Sequence, residues 1–291
     1  MNPDITNRFE SHRRRLTAVA YRMLGTRSDA EDIVQDVWLR WCEADHGTIA
    51  NDEAWLVSVT TRASIDRLRT AKVQREAYVG MWLPEPLVAP LDDQPDLAAE
   101  RADDLSMALL VVLERLAPEE RAAFLMRQVF DQDYPDIAEV LGKSEAACRQ
   151  LVHRATTRVR QEQPRFTVSD AEHRDQLMKF AAASRSGHLD TLRALFAPDV
   201  TLTGDGGGVV ASVPKTLVGA DRVARLFHVV ARRYGNLMDH KLALVNGVPG
   251  LVRYVDGRLE SVFSIVTSPE GIRAIYAVRN PAKLRSVVAL T

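Results

Sequence analysis

Tyr134-Pro-Asp-Ile-Ala-Glu-Val-Leu141, Gly142-Lys-Ser144, then Glu145-Ala-Ala-Cys-Arg-Gln-Leu-Val-His-Arg-Ala-Thr-Thr-Arg-Val-Arg160: this stretch organises the reading of the whole chain. The first block has the pattern of a short amphipathic helix. Gly142 suits the left-handed residue that closes it, and the Ser144 hydroxyl suits the N-cap of a second helix. On that second helix Ala147, Leu151, Ala155 and Val159 recur every four residues and predict a protein-facing side. Arg149, Gln150, His153, Arg154, Thr157 and Arg158 fall elsewhere on the helix, as groups that read base edges or bind phosphates should. The stretch therefore predicts a helix-turn-helix. An ordinary helical hairpin with a solvated basic face has the same local signals, so the rest of the chain must decide.

Composition narrows the choice. The 291 residues suffice for two or three domains, and the formal net charge of −1 excludes a global polycation. Any affinity for nucleic acid must come from local patches. Cys42 and Cys148 are the only cysteines, far apart and without partners at metal-ligand spacing. They suit a reduced compartment rather than a disulfide scaffold. The N-terminus lacks a signal-peptide core, and no run approaches the roughly 20 apolar residues of a membrane span. These features predict a soluble cytoplasmic protein with no membrane partner.

Three kinds of segment follow one another. Residues 5 to about 75 carry helical periodicity, in the runs Leu16–Leu24, Ile33–Trp41 and Trp55–Leu68. Residues 76–100 hold Pro84, Pro86, Pro90 and Pro95 beside Asp92, Asp93 and Asp96, which predicts an extended connector. Helical pattern returns over 101 to about 162, and Pro164 marks another break. From Ala171 two helices (about 171–184 and 188–197) precede β-rich runs at 199–202, 250–255, 261–266 and 272–278. Asp256-Gly257 marks a hairpin turn.

Two further charged features belong to the first segment. Asp29, Asp32 and Asp36 lie on one helical stripe with Glu31 and Gln35 beside it, suited to a basic partner surface. A solvated face balanced by Arg22, Arg27 and Arg40 would read the same way. Arg62, Arg67, Arg69, Lys72 and Arg75 against only Asp66 and Glu76 form a basic run suited to phosphates. Thr60, Thr61 and Ser64 are plausible neighbours of unstacked bases.

In this order and spacing, three motifs resemble the extracytoplasmic-function (ECF) sigma factors of bacterial RNA polymerase. Asp29-Ala-Glu-Asp-Ile-Val-Gln-Asp-Val-Trp38 resembles the acidic helix that grips the polymerase clamp. Trp55–Arg69 resembles the helix that meets the −10 promoter element. Leu116-Ala-Pro-Glu-Glu-Arg121 with the helix-turn-helix resembles the part that meets the −35 element. The linker Tyr78-Val-Gly-Met-Trp-Leu-Pro-Glu-Pro86 is similar to that of a subgroup whose chain continues into a SnoaL-like domain, an α+β cone shared with ketosteroid isomerase and polyketide cyclases. Asp205-Gly206-Gly207-Gly208 and Asn280-Pro281-Ala282-Lys283-Leu284 resemble that domain's two signatures. Val209 stands where a Lys is expected and Ala282 where an acid is expected, which puts any contact between those charges in doubt.

The resemblance implies a multidomain chain: an all-α sigma region 2 domain (1–75), a linker (76–100), an all-α region 4 helix-turn-helix domain (101–165) and an α+β SnoaL-like cone (166–291). It implies polymerase binding through Asp29, Glu31, Asp32, Gln35 and Asp36. DNA binding is expected of Arg62, Ser64, Arg67, Arg69, Ser144, Arg149, Gln150, His153, Arg154 and Arg158. Regulation is expected of Trp82, Leu83, Pro84, Glu85 and Pro86 together with the two tail signatures, the tail holding the linker and setting the relative orientation of the two DNA-binding domains; local packing of Trp82 against the first domain is the alternative. The implied partners are core RNA polymerase (β′ clamp and β flap), promoter DNA and a small ligand in the tail pocket. No cofactor, metal or dedicated anti-sigma protein is implied. A catalytic tail would need a base among Asp205, Asp199, His188, His228 and His240, and no acid–base pair stands at recognisable spacing. A helix-turn-helix regulator with a ligand-sensing tail is the alternative, but it has no need of the acidic helix or the basic run.

Overall fold

The computed structural model describes residues 3–76, 78–91, 106–162 and 168–287. Asp92, Asp93, Pro95 and Asp96 of the expected linker lie outside the described residues, as does the expected boundary at 165/166. The side chains of Lys72 and Glu76 lie outside them too. The chain divides into two compact units, Met1–Ala77 with Val112–Glu162, and Tyr78–Val111 with Gln163–Thr291. The proline-bearing linker thus goes with the C-terminal unit.

The first unit is all helical. Helices α1 (Pro3–Leu24), α2 (Arg27–Glu43) and α3 (Asp52–Glu76) carry the three predicted periodic runs. Leu16, Val19, Ala20, Met23, Ile33, Val37, Trp41, Leu56 and Leu68 bury their side chains, as the 3.6-residue period requires. Trp41 is fully buried, and its indole N–H donates to the Ile5 carbonyl at 3.1 Å, so its one polar atom is satisfied. The remaining helices are α5 (Pro118–Gln128), α6 (Tyr134–Leu141) and α7 (Glu145–Glu162), packed around Ala123, Met126, Ile137, Val140, Cys148, Leu151 and Val152. Helix α4 (Met107–Leu113) runs across the division between the units. Arg121, 2 % exposed, joins the early and late helices: Nε donates to the Arg22 carbonyl at 3.0 Å and Nη1 to Glu114 at 2.5 Å.

The second unit is a seven-stranded sheet with the helices between residues 170 and 234 on one face. Its elements are β1 (Val88–Ala89), α8 (Asp170–Ser186), α9 (Leu189–Ala194), β2 (Phe196–Asp205), β3 (Leu217–Val218), α10 (Ala220–Tyr234), β4 (Met238–Val245), β5 (Val248–Val255), β6 (Arg258–Ser268) and β7 (Gly271–Val278). The order is β1-β4-β5-β6-β7-β2-β3, antiparallel except for the β2–β7 pair. Asp256 and Gly257 take positive φ in the turn between β5 and β6, as predicted. Helix α10 and strand β4 were not foreseen in the sequence. Alternation sorts the strands onto two cores. Leu251, Phe263, Ile265 and Ile275 meet Leu177, Phe180 and Phe227 of the helices. Val252, Val262, Ala274 and Tyr276 face the other way and are covered by Leu83 of the linker, Met107, Ala108 and Leu284. No helix among the described residues is long and apolar enough to cross a membrane.

Candidate functional site

The acidic stripe lies along α2. Glu31, Asp32, Gln35 and Asp36 are exposed, while Asp29 is half-buried. Asp29 is also tied down: Thr26 Oγ1 donates to it at 2.5 Å, and Arg67 Nε and Nη2 donate at 2.9 and 2.6 Å. The hydrogen bond to Asp29 pushes the Arg67 pKa up. Arg67 therefore braces α3 against the stripe in this state, and the outward-facing acids are Asp32 and Asp36, with Glu31 paired to Arg27 at 2.7 Å.

The basic run on α3 is likewise engaged within the first unit. Arg62 donates from Nε to the Val140 carbonyl at 3.2 Å and from Nη2 to the Glu139 carbonyl at 2.9 Å. Those carbonyls belong to the last turn of α6, where a cation meets the negative end of the helix dipole. Arg69 pairs with Asp66 and Glu119, both at 3.0 Å, and Arg75 pairs with Glu114. The Arg62 and Arg69 pairs are exposed, and pairs of that kind contribute about 0–1 kcal/mol each, so a phosphate can displace them. Ser64 requires a correction. It is fully buried, its hydroxyl donates to the Thr60 carbonyl at 2.7 Å, and Thr60 and Thr61 are buried with it. These small hydroxyl residues serve helix packing instead of lining a path for bases.

The helix-turn-helix forms as its punctuation requires. Gly142 has φ +62°, and the Ala147 N–H donates to Ser144 Oγ at 3.3 Å. Cys148, Leu151, Val152, Ala155 and Val159 are buried; Arg149, Gln150, His153, Arg154 and Arg158 are exposed. Arg149 lies over the Tyr134 ring at 4.9 Å and pairs with Glu145 at 2.7 Å. Arg154 reaches Glu120 at 3.1 Å, and Arg158 reaches Glu162 at 3.0 Å. The five expected DNA-contacting side chains of α7 thus share the solvent side of one helix.

The linker and tail signatures converge on one carboxylate. Asp205 ends β2 with no exposed surface and accepts four hydrogen bonds: from the Tyr78 hydroxyl at 2.6 Å, the Leu83 N–H at 3.0 Å, the Gly207 N–H at 3.0 Å and Lys283 Nζ at 2.7 Å. Lys283 also donates to the Leu83 carbonyl and sits 4.0 Å from the Trp82 ring centre. Asn280 Nδ2 donates to the Tyr78 oxygen at 2.8 Å. Burial, followed by the hydrogen bond to Asp205, pushes the Tyr78 hydroxyl pKa well above its ordinary value, so it stays a donor. Pro84 and Pro86 are buried, and Ser286 donates to the buried Glu85 at 2.8 Å. Beyond Glu85, Leu87 exchanges hydrogen bonds with Asn246, and Val88–Ala89 pairs with β4.

The glycines are dictated by space. A Cβ on Gly206 would stand 2.2 Å from the Val210 carbonyl, and one on Gly207, at φ +66°, would stand 2.5 Å from Asn280. Gly208 also takes positive φ. Asn280 caps the turn Pro281–Leu284, accepting from the Ala282 N–H at 3.0 Å, and Leu284 enters the core. Val209 and Ala282, the two departures from the signatures, are exposed. The buried Asp205–Lys283 pair forms without either missing charge. Tyr78, Asn246 and Ser286 join this clasp although they were not among the expected site residues; Tyr78 opened the quoted linker motif and was the nearest to a signal.

The residues weighed as catalytic bases are dispersed. The Asp205 carboxylate is saturated by donors. Asp199 is exposed near Arg273, His188 precedes α9, and His228 Nδ1 bonds the Gly187 carbonyl at 2.7 Å. His240 lies opposite Arg253 in the β4–β5 register, and burial, followed by that cation, lowers its pKa to about 4. Among the described residues no group of three or more His, Cys, Asp or Glu could hold a metal ion.

Comparison with known proteins places the chain in a family. Residues 8–73 match sigma-70 region 2, and residues 106–159 match sigma-70 region 4. The chain is 42% identical over 287 residues to the ECF RNA polymerase sigma factor SigJ of Mycobacterium tuberculosis, covering 94% of this chain and 91% of that one. It is 31% identical over 284 residues to a protein named "Probable ECF RNA polymerase sigma factor SigI" of the same species, covering 95% and 93%. The crystal structure of M. tuberculosis SigJ superposes with a TM-score of 0.78 at 39% identity, covering 96% of this chain and 98% of that one.

Proposed function

The chain belongs to the extracytoplasmic-function RNA polymerase sigma factors, and we propose that its SnoaL-like tail regulates promoter-directed initiation by holding the linker between regions 2 and 4. As a sigma factor it binds core RNA polymerase and promoter DNA and directs transcription initiation. The finer assignment follows from surface chemistry. Asp32, Asp36, Glu31 and Gln35, with Asp29 beside them, meet the basic β′ clamp, and region 4 meets the β flap. Arg62, Arg67 and Arg69 leave their internal partners for phosphates at the −10 element. Arg149, Gln150, His153, Arg154 and Arg158 enter the groove at the −35 element, with Ser144 at the start of the helix.

The observation that carries the regulatory reading is the saturation of Asp205 by two linker groups and two tail groups. A linker segment held in this way cannot serve as a free tether between the two DNA-binding regions. The tail acts as a regulator with a ligand-sensing cavity; Asp205, with its four donors, has no lone pair left for proton abstraction. No dedicated anti-sigma partner is invoked. Run-off transcription with core polymerase tests the reading, comparing the intact chain, Asp205→Ala and a chain ending at residue 165. A change in output or promoter preference on both alterations is expected. Identical transcription from all three would overturn it.

A further inference from the structure

The tail holds a cavity of about 610 Å³ with two chemically distinct walls. One wall is apolar, built by Leu226, Phe227 and Val230 of α10 with Val213, Leu202 and Phe263. The other is a charge cluster, buried at Arg253 and half-buried at Glu260 and Arg279. Arg253, 5 % exposed, donates from Nε and Nη2 to Glu260 Oε2 at 2.8 and 2.6 Å, and its guanidinium lies 4.8 Å from the Phe263 ring centre. Arg279 Nε donates to Glu260 Oε1 at 2.7 Å from the other side. Burial alone would push Glu260 up, but the two guanidiniums outweigh it and hold its carboxyl below the usual range. One carboxylate thus faces two guanidinium groups. A third cation, Arg233, lines the same cavity from α10.

An excess positive charge on a partly dehydrated wall is costly unless an anion approaches it. The opposing wall rewards an apolar body, at about 25 cal/mol for each Å² it covers. The volume falls within the roughly 300–1,000 Å³ of small-molecule pockets. We propose that this cavity binds a small amphipathic carboxylic acid: its carboxylate on Arg279 and Arg253, its aromatic or branched body against α10. The proposal rests on the reading of the tail as a sensing domain and names the class of ligand it senses.

The same cavity is joined to the linker clasp by the main chain. Gly204, in its wall, precedes Asp205. The Arg279 N–H donates to the Asp205 carbonyl at 2.8 Å, and its guanidinium bonds the Ala211 carbonyl in the loop that follows the glycines. The next residue, Asn280, holds Tyr78. An acid that draws Arg279 toward the cavity acts on both strand ends of the clasp.

The test uses the full-length chain and isothermal titration with 2-naphthoate, octanoate, 2-naphthylmethanol and acetate. Either of the first two is expected to bind at one site per chain, with the alcohol and acetate at least about tenfold weaker. Arg279→Gln is expected to abolish the preference for acid over alcohol, and Val230→Trp to abolish binding by filling the cavity. Circular dichroism verifies that both variants are folded, and Arg233→Gln supplies a second, exposed removal of charge expected to weaken the acid alone. Equal binding of naphthoate and naphthylmethanol, or no binding of either acid at about 1 mM, overturns the proposal. Hydrogen–deuterium exchange of residues 78–89, with and without the bound acid, separates the two readings. Binding with unchanged exchange removes the coupling, whereas exchange that is fast in both states indicts the clasp itself.

Discussion

Lys283 and Asp205 form an ion pair 2.7 Å long whose side chains are 8 % and 0 % exposed. Sealing two charges from water stabilises only when every remaining lone pair and proton is matched. Here Tyr78, Gly207 and Leu83 supply the matches. Removing one partner therefore strands the other. Lys283→Met is expected to destabilise the C-terminal unit by about 3–5 kcal/mol, and Lys283→Met with Asp205→Asn by less than the sum of the two single changes. Denaturant unfolding followed by exchange of the 78–89 amides reads both values.

Tyr78→Phe keeps the ring and deletes the one hydroxyl that donates to Asp205 and accepts from Asn280. The expected loss is about 1–3 kcal/mol, because Asn280 Nδ2 and one lone pair of Asp205 are left unmatched. Exchange of the linker amides should accelerate by about tenfold or more while that of α1–α3 stays unchanged.

Two glycines with almost the same φ should respond differently to alanine. At Gly142, φ +62°, an added Cβ meets open space, so the cost is the left-handed strain of about 1–2 kcal/mol. At Gly207, φ +66°, the Cβ also collides with the Asn280 side chain, so Gly207→Ala should cost more and loosen the linker. Thermal unfolding of the two variants measures the difference.

His240 sets a pH dependence for the tail. Its folded pKa is lowered to about 4, whereas an unfolded histidine titrates near 6.5. The unfolded chain binds the proton first. Stability should be flat above about pH 6.5 and fall steadily as pH drops toward 4. His173, buried between Thr267 and the Pro249 carbonyl, is also lowered by burial and adds in the same direction. His240→Gln should reduce the slope between those limits, measured by thermal unfolding across pH.

On promoter DNA, Arg149→Ala and Gln150→Ala in the holoenzyme should relax discrimination at the −35 element by about 1–3 kcal/mol. Arg62→Ala and Arg69→Ala should instead weaken binding evenly across sequences. Each should lower the slope of log K against log salt by about 0.9. Filter binding over a salt series separates the two behaviours.

The helix-turn-helix was legible because its signals are local: a four-residue apolar repeat, a glycine that takes φ +62° and a serine that caps. The acidic and basic helices were legible as charge patterns, but their internal pairing, Arg67 on Asp29 and Arg62 on the end of α6, depends on contacts distant in sequence. Ser64 misled because a hydroxyl on a helix reads as polar surface, yet its hydrogen bond to the Thr60 carbonyl lets it be buried. Strand β4 was missed because His240 and Lys241 interrupt its apolar alternation, although Asn246-Gly247 marks its turn. Helix α10 has the apolar spacing Val223, Ala224, Phe227, Ala231, obscured by the exposed Val229 and by Val230, which lines the cavity. The expectation that the tail holds the linker rests on resemblance to a family and on the apolar Trp82-Leu83 pair between prolines and glycine. Nothing in residue spacing places Tyr78 on Asp205, or Arg253 and Arg279 on one Glu260.

The two-residue strand Val88–Ala89 is the hem of the sheet, capping the margin of β4 along Leu244 and Val245. Lifting the linker therefore strips a row of backbone donors and acceptors as well as opening the clasp, leaving a template for strand addition. A tail fragment expressed from residue 166 would carry that bare margin permanently. Its self-association would then be a symptom of the cut, unrelated to how many copies the intact chain assembles.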